Sequence, residues 1–284
     1  TDDSRKVVPG CCYVAVRGTQ FDGHSVIPEV IKAGAAAIVA EEPCPEKDGV
    51  HGVCWVQVAD TRLADGLLMS AWHNFPSMQM VMLGVTGTNG KTTISYLTNA
   101  IFRATWQRAG LIGTIMYDDG ARRLPSHNTT PGSADLQSML ADMLNNGCRA
   151  VAMEVSSHAL CQHRTAGTTF RVGIFTNLTQ DHLDYHGTME EYYQAKKRLF
   201  LSMAESEDVK ATAVINVDDE YGRRLAQELL PLMKVRTYGV AKDADFRVTP
   251  RILSLKGSQY ELSYKGRNYL VRTPLIGSFN VSHS

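Results

Sequence analysis

Between Gly84 and Thr93 the chain reads GVTGTNGKTT, with the apolar run Met80 to Leu83 before it and an apolar-periodic stretch after it. That order predicts a strand, a glycine loop and the start of a helix. Glycines let backbone N–H groups point at phosphoryl oxygens, and a helix start adds partial positive charge. Lys91 is spaced to reach the outer phosphates, and a Thr hydroxyl beside it to ligate Mg²⁺, which is the chemistry of ATP binding. The stricter phosphate-loop pattern has glycine where Val85 stands, so a chance match is the competing reading.

Other side chains suit the same chemistry. Glu154 interrupts the apolar run Ala150 to Val155, where a lone carboxylate is costly unless it is paired or bound to a metal. A structural ion pair and a Mg²⁺ ligand both account for it. His182, flanked by Asp181 and Asp184 after an apolar run, suits a metal ligand or proton relay, against a plain core or surface imidazole. From Met189 to Met203 the apolar residues Met189, Tyr192, Tyr193, Leu199, Phe200 and Met203 form the stripe of a buried helix face. Lys196 falls inside that stripe and Lys197 and Arg198 outside it. Either the Lys196 stem snorkels outward, or the amine is aimed at a site where burial and nearby cations lower its pKa. The polar stretch Leu124 to Gly132 precedes a helix start marked by Ser133 and Asp135, and an ordinary capped turn explains it equally well. Asp3-Ser4-Arg5 and the stretch Gly18 to Gly23 carry little on their own.

The elements that must hold these residues follow from periodicity. Strands are expected at Cys12 to Val16, Ala36 to Ala40 and Val53 to Val58, with helices at Ile27 to Lys32 and Thr61 to Phe75. These make a small α/β unit ending near Pro76, so residues 1–76 are expected to form one domain. Further strands are expected at Met80 to Val85, Leu111 to Met116, Ala150 to Val155, Val172 to Thr176 and Thr212 to Asn216, most of them separated by helical patterns. The fold class is therefore α/β, with a mostly parallel sheet over 77–284 and a small antiparallel β appendage from Phe246 to Val271. In such a sheet ligands bind beyond the carboxyl ends of the strands. The glycine loop, Glu154 and the Asn177 to Asp184 stretch all follow strands, so three distant segments converge on one edge.

Composition narrows the class. With 284 residues, 44% hydrophobic and 20% charged, the chain can bury a sizeable core, and disorder is not expected. Twenty-nine basic and twenty-nine acidic residues cancel, which argues against nucleic acid or an anionic membrane as partner. Cys11, Cys12, Cys44, Cys54, Cys148 and Cys161 show no zinc spacing and are expected to be reduced thiols, most of them in the core. No apolar run approaches a membrane span, and no leader pattern opens the chain, so a cytoplasmic location is expected.

Taken together, GVTGTNGKTT, HNTTP, MEVSSHAL, QHR, FTNLTQDHLDYHGTMEEYYQAKKRLF and the terminal GSFNVS resemble the Mur ligases, as do DSR and GTQFDG near the start. The resemblance covers nearly the whole chain. Within the family it points to the member that adds a diamino acid to UDP-N-acetylmuramoyl-L-alanyl-D-glutamate. It implies an N-terminal UDP-sugar-binding domain and a central ATP-binding domain. Gly87, Thr88, Asn89, Gly90, Lys91, Thr92 and Thr93 would hold ATP, with Asn280 at adenine and Thr92 also on Mg²⁺. Glu154 and His182 match ligands of a second magnesium, and Lys196 matches a lysine carried as a CO₂-derived carbamate. Ser4, Thr19 and Gln20 match contacts to the UDP-sugar. Asn128, Thr129, Thr130, Ser156, Gln162 and Arg164 match contacts to its muramoyl-peptide portion.

The implied reaction is ATP-dependent amide formation through an acyl phosphate, with Lys91 and two magnesium ions neutralising charge on the transferring phosphoryl group. A monomer is expected. Mur ligases carry a C-terminal domain for the incoming amino acid, which the resemblance implies is missing here, so the chain is expected to bind ligands without turnover. The choice between diaminopimelate and lysine would lie in that domain, diaminopimelate being the commoner. His283 stands where the family has a second Asn. The rival readings are a folylpolyglutamate-synthetase-like ligase, a non-catalytic nucleotide-binding remnant and a generic P-loop nucleotidase.

Overall fold

The computed structural model describes residues 1–18, 21–45, 52–206, 210–254 and 257–276. The chain divides into two compact units, one of Thr1–Pro76, Pro131–Ala141 and Gln162–Thr168, the other of Ser77–Thr130, Asp142–Cys161 and Thr169–Ser284.

In the first unit, β1 (Cys12–Val14), α1 (Ile27–Lys32), β2 (Ala37–Ala40), β3 (Cys54–Gln57) and α2 (Thr61–Trp72) alternate. The strands form a parallel sheet in the order β1-β2-β3. Its core is Tyr13, Ala15, Ile27, Val30, Ala35, Ile38 and Ala40. Asp60 caps α2 by accepting from the Leu63 N–H at 2.9 Å. The helix ends at Trp72, short of the expected Phe75, because Asn74 and Phe75 turn left-handed (φ 58° and 52°) ahead of Pro76, whose ring disfavours helix in the residue before it.

Two segments from later in the sequence complete this unit. A Cβ on Gly66 of α2 would lie 2.5 Å from the Ala166 Cβ, so only glycine lets residues 162–168 lie flush on the helix. Ser70 Oγ then donates to the Gly167 carbonyl (2.8 Å), and Gln137 Nε2 to the Ala166 carbonyl and to Thr168 Oγ1.

Among the described residues the second unit is built on an eleven-stranded sheet. Its centre is β4 (Val81–Thr86), which leads into α3 (Lys91–Trp106) and then β5 (Gly110–Ile112). The single strand expected from Leu111 to Met116 is instead two: after β5 the chain turns at Gly113 to Ile115 and returns antiparallel as β6 (Met116–Asp118), followed by β7 (Arg123–Pro125). Helix α4 (Ser133–Asn145) precedes β8 (Ala150–Glu154), the short α5 (Ser157–Cys161) and β9 (Val172–Phe175). Then come α6 (Leu183–His186), α7 (Met189–Glu205), β10 (Thr212–Asn216), α8 (Glu220–Leu229), β11 (Lys234–Gly239), β12 (Phe246–Ser254), β13 (Gly257–Tyr264) and β14 (Arg267–Thr273).

The strand order is β14-β13-β12-β11-β10-β9-β4-β8-β5-β6-β7. From β12 to β5 every pairing is parallel; the outermost pairs at both ends are antiparallel. The expected appendage is therefore no separate layer, since β12 continues the main sheet beside β11. Parallel strands need cover on both faces, and β8, buried at all five positions, has it.

The cysteines are free, but only Cys148 is buried and Cys54 is exposed. The core expectation fails for Cys54 because β3 is an edge strand with mostly exposed positions. Among the described residues no helix is long and apolar enough to cross a membrane.

Candidate functional site

The chain leaves β4 towards β5 on one side, and β9 later fills the opposite side of β4. That makes the carboxyl end of β4 a topological switch point, where open α/β sheets bind their ligands. The glycine loop begins there. Gly87 has φ +143°, and a Cβ on it would fall 1.9 Å from Thr176 Oγ1, so the loop lies against the end of β9 with no room for a side chain. Gly90, left-handed at φ 88°, caps α3.

The loop is held from the end of β9 by Thr176, Asn177 and Thr179. The Thr88 N–H donates to the Asn177 carbonyl (2.8 Å), the Asn89 N–H to Asn177 Oδ1 (3.0 Å), and Thr176 Oγ1 to the Asn89 carbonyl (2.6 Å). Thr88 Oγ1 accepts from the Thr179 N–H at 3.1 Å and lies 3.3 Å from the Tyr192 hydroxyl.

Two lysines from opposite sides of the loop meet on one atom. Lys91 Nζ donates to the carbonyls of Gly87 (3.0 Å) and Thr88 (2.8 Å), and Lys196 Nζ donates to the same Gly87 carbonyl at 2.7 Å. Lys196 is 1% exposed, and its nitrogen stands 4.4 Å from the centroid of the Tyr192 ring. Burial pushes its pKa well below the usual lysine value, with Lys91 acting in the same direction and Asp181 against it. Burial also lowers Lys91, opposed by Glu154 and Asp181. The inward of the two readings of Lys196 is the observed one. Its position on α7 follows from sequence: Thr188 and Glu191 form a capping box that starts the helix, and Tyr192, Tyr193, Lys196, Leu199, Phe200 and Met203 are all buried.

Glu154 ends β8 beside β4 and is fully buried. Its Oε1 accepts from the Thr114 N–H (2.9 Å), and its Oε2 from Thr92 Oγ1 (2.9 Å) and Thr114 Oγ1 (3.1 Å). The ion-pair reading does not hold among the described residues, because hydroxyls and one amide compensate this carboxylate. Thr114 went unnoticed in the sequence. The only signal was the Gly113-Thr114 break in an apolar run, and a Cβ at Gly113 would lie 2.3 Å from Glu154 Oε1.

The polar loop ahead of α4 reaches the same strand end. Thr129 Oγ1 lies 3.0 Å from Thr114 Oγ1, and Thr130 Oγ1 donates to the Glu154 carbonyl (2.9 Å) and accepts from the Ser156 N–H (3.1 Å). The Asn128 carbonyl takes the Tyr117 hydroxyl. His182 caps α6 in a left-handed conformation (φ 52°), with its ring 4.9 Å from His158 and 6.1 Å from Tyr192. Its Nε2 is 3.5 Å from Asp181 Oδ2.

Gly87, Thr88, Asn89, Gly90, Lys91, Thr92, Thr93, Asn128, Thr129, Thr130, Glu154, Ser156, His182 and Lys196 thus all belong to the second unit. Ser4, Gln162 and Arg164 belong to the first. There Arg164 donates through Nε and Nη2 to Gln162 Oε1 (3.0 and 2.7 Å), and both line a cavity of about 220 Å³ with Arg62, Asp65 and Ser133. Ser4 opens a short 3₁₀ turn capped by Asp3. Thr19, Gln20 and Asn280, together with His283, lie outside the described residues.

The second unit fits a nucleotide and its metal. A cradle with no space for a Cβ, two amines at a loop and helix start, and hard oxygen donors on Thr92 and Glu154 are the groups that phosphates and Mg²⁺ select. Among the described residues no group of three or more His, Cys, Asp or Glu is placed to hold a metal ion by itself. A Mg²⁺ here would draw on Glu154, the Thr92 hydroxyl, water and the ligand's own oxygens.

Residues 85–283 match the family model described as the Mur ligase middle domain, and residues 1–71 match the Mur ligase family, catalytic domain. A relative from Geobacter metallireducens named UDP-N-acetylmuramoyl-L-alanyl-D-glutamate--2,6-diaminopimelate ligase is 40% identical over 98% of this chain and 54% of its own length. One of the same name from Geobacillus kaustophilus is 41% identical over 98% of this chain and 56% of its own. The chain thus spans just over half the length of these relatives. Among solved structures, one of a ligase of that name superposes with a TM-score of 0.81 at 31% identity, covering 99% of this chain and 56% of the other. The folylpolyglutamate synthase of Mycobacterium tuberculosis superposes at 0.60 with 16% identity over 78% of this chain and 56% of its own, a likeness of fold alone.

Proposed function

The chain belongs to the Mur ligase family, and from that premise we propose that it serves ATP-dependent amide formation, joining a diamino acid to UDP-N-acetylmuramoyl-L-alanyl-D-glutamate. The diamino acid is 2,6-diaminopimelate, the substrate in the names of relatives 40% and 41% identical to it. The observation that carries the reading is the meeting of Lys91 and Lys196 on the Gly87 carbonyl at the switch point.

In this reading residues 87–93 hold ATP, and Thr92, Glu154, His182 and Lys196 hold magnesium. The metal, when bound, polarises the phosphoryl oxygens and offsets their charge. Lys91, released from its loop carbonyls, turns to the outer phosphates. Glu154 keeps Thr92 oriented through its 2.9 Å bond. Thr176 and Asn177 keep the loop in shape through Asn89. Ser4, Thr19 and Gln20 bind the UDP-sugar, and Asn128, Thr129, Thr130, Ser156, Gln162 and Arg164 its muramoyl-peptide part, Arg164 being suited to a carboxylate or phosphate through its fork.

Lys196 takes up CO₂ as a carbamate. Two ammonium groups sharing one carbonyl in a buried site repel, and burial lowers the pKa of both, so the neutral amine is favoured. Its nitrogen lone pair attacks the CO₂ carbon and the amine proton passes to solvent, leaving an N-carboxylate with oxygen donors.

Two measurements test this. Calorimetric titration is expected to detect UDP-N-acetylmuramoyl-L-alanyl-D-glutamate and not a folate; the reverse result overturns the assignment in favour of the folylpolyglutamate synthetase. Carbon-13 NMR in labelled bicarbonate is expected to show a carbamate carbon that disappears in Lys196→Ala. A spectrum identical in both proteins removes the lysine modification.

A further inference from the structure

Thr114, in the turn between β5 and β6, bonds to both halves of the second unit's site. Its N–H and hydroxyl both go to the Glu154 carboxylate, while its Oγ1 lies 3.0 Å from Thr129 Oγ1 on the loop ahead of α4. That loop is tied to β8 by two routes. One runs through Thr130 to the Glu154 main chain (2.9 Å), the other through Thr129 and Thr114 to the Glu154 side chain. Gly113 lets the turn come this close, since any Cβ there would meet Oε1 at 2.3 Å.

Proton counting gives the second route a direction. A hydroxyl carries one proton. Thr92 and Thr114 both direct theirs to Glu154 Oε2. The proton in the Thr114–Thr129 contact must therefore come from Thr129, and the chain runs from Thr129 to Thr114 to the carboxylate.

We infer that Thr114 is a positioning residue that couples occupancy of the Thr129 loop to the Glu154 carboxylate. A ligand oxygen that takes the Thr129 proton leaves Thr114 without its donor. Chains of hydrogen bonds polarise one another, so Thr114 then donates less strongly, and Oε2 keeps more of its charge for a cation arriving with the nucleotide. The coupling is reciprocal by linkage. This rests on the proposed reading that Thr129 faces the muramoyl-peptide portion and Glu154 the magnesium side.

The test is equilibrium binding, with no turnover required. A non-hydrolysable ATP analogue with Mg²⁺ is titrated with and without saturating UDP-N-acetylmuramoyl-L-alanyl-D-glutamate. In the unaltered protein the sugar nucleotide is expected to tighten the analogue about tenfold, a common size for such coupling. Thr114→Val and Thr129→Val are expected to bring that factor to about one, Thr114→Ser to restore it, and omission of Mg²⁺ to abolish it in the unaltered protein. A Thr114→Val protein of unchanged thermal stability that keeps the tenfold factor overturns the inference. So does an unaltered protein that binds both ligands independently. Failure of the unaltered protein to bind the sugar nucleotide at all is a different outcome, which sinks the functional reading and this inference with it.

Discussion

Lys196 and Lys197 are neighbours on α7, and they meet opposite fates. Lys197 pairs with Glu228 Oε2 at 2.8 Å, in a cluster where Tyr193 donates to the same carboxylate and Arg224 stacks 4.3 Å over the Tyr193 ring while bonding Glu190 and Glu228. Burial pushes Glu228 upward, but the bonds from Lys197, Tyr193 and Arg224 outweigh it and hold its pKa down at about 2. Lys196 faces Tyr192 and a carbonyl, and no ion pair to a carboxylate holds it among the described residues. One step along a helix turns the side chain by about 100°, and here it separates an amine paired with a carboxylate from one without a counter-charge. A buried charge left without a counter-charge is costly. The cost persists where the group has chemistry to perform.

The largest effect that sharpens this contrast is on binding of a magnesium nucleotide, which needs no turnover. Lys196→Ala is expected to weaken a non-hydrolysable ATP analogue with Mg²⁺ by about 10–100-fold, the usual loss when a charged hydrogen-bonding group is removed, without lowering the melting temperature. Lys197→Ala leaves that affinity unchanged. Equal affinity losses in calorimetric titration would erase the distinction between the two lysines. Gly87→Ala comes next: a left-handed φ of 143° and a contact of 1.9 Å with Thr176 Oγ1 make it destabilising by about 3 kcal/mol, read by urea unfolding, with nucleotide binding lost too.

His186, 7% exposed and bonded to Ser157 Oγ at 2.9 Å, has its pKa lowered to about 4 by burial first, then by His158, Lys196 and His182, with Glu191 opposing. The unfolded chain takes up this proton near pH 6.5 and the folded chain only near 4. Its contribution is therefore complete above 6.5 and lost as pH falls through that window. His186→Gln should flatten the loss by about 3 kcal/mol, measured as the difference in unfolding free energy between pH 7 and 4. The smallest effect is on the paired side: Lys197→Gln should cost about 0.5–1 kcal/mol, as partly exposed pairs do, and less in high salt.

Much of this was legible in the sequence because it lay in periodic patterns. Lys196 stood out as a cation inside an apolar stripe, and Glu154 as an acid inside an apolar strand, and both are buried. What escaped was carried by turns and by small residues without a period. The Gly113-Thr114 turn splits one expected strand into a hairpin, because glycine and threonine there approach the carboxylate rather than extend the ladder. Residues 131–141 and 162–168 join the first unit through Gly66, Gly167 and carbonyl hydrogen bonds, contacts that no hydrophobic pattern announces. The continuation of the sheet into β12 was hidden for a similar reason, since it rests on two backbone pairings, Tyr238 with Phe246 and Gly239 with Arg247.

The place of β4 in its sheet has a consequence for how deuterium enters the molecule. Six strands lie on one side of β4 and four on the other, so its amides reach solvent only when neighbouring ladders come apart, and residues 81–86 should be among the last to exchange. The loop starts one residue later, and the amides of Thr88 and Asn89 depend on bonds to Asn177 alone. Protection should therefore fall steeply between Thr86 and Gly90, where an anchored strand hands over within four residues to a loop with far fewer backbone bonds.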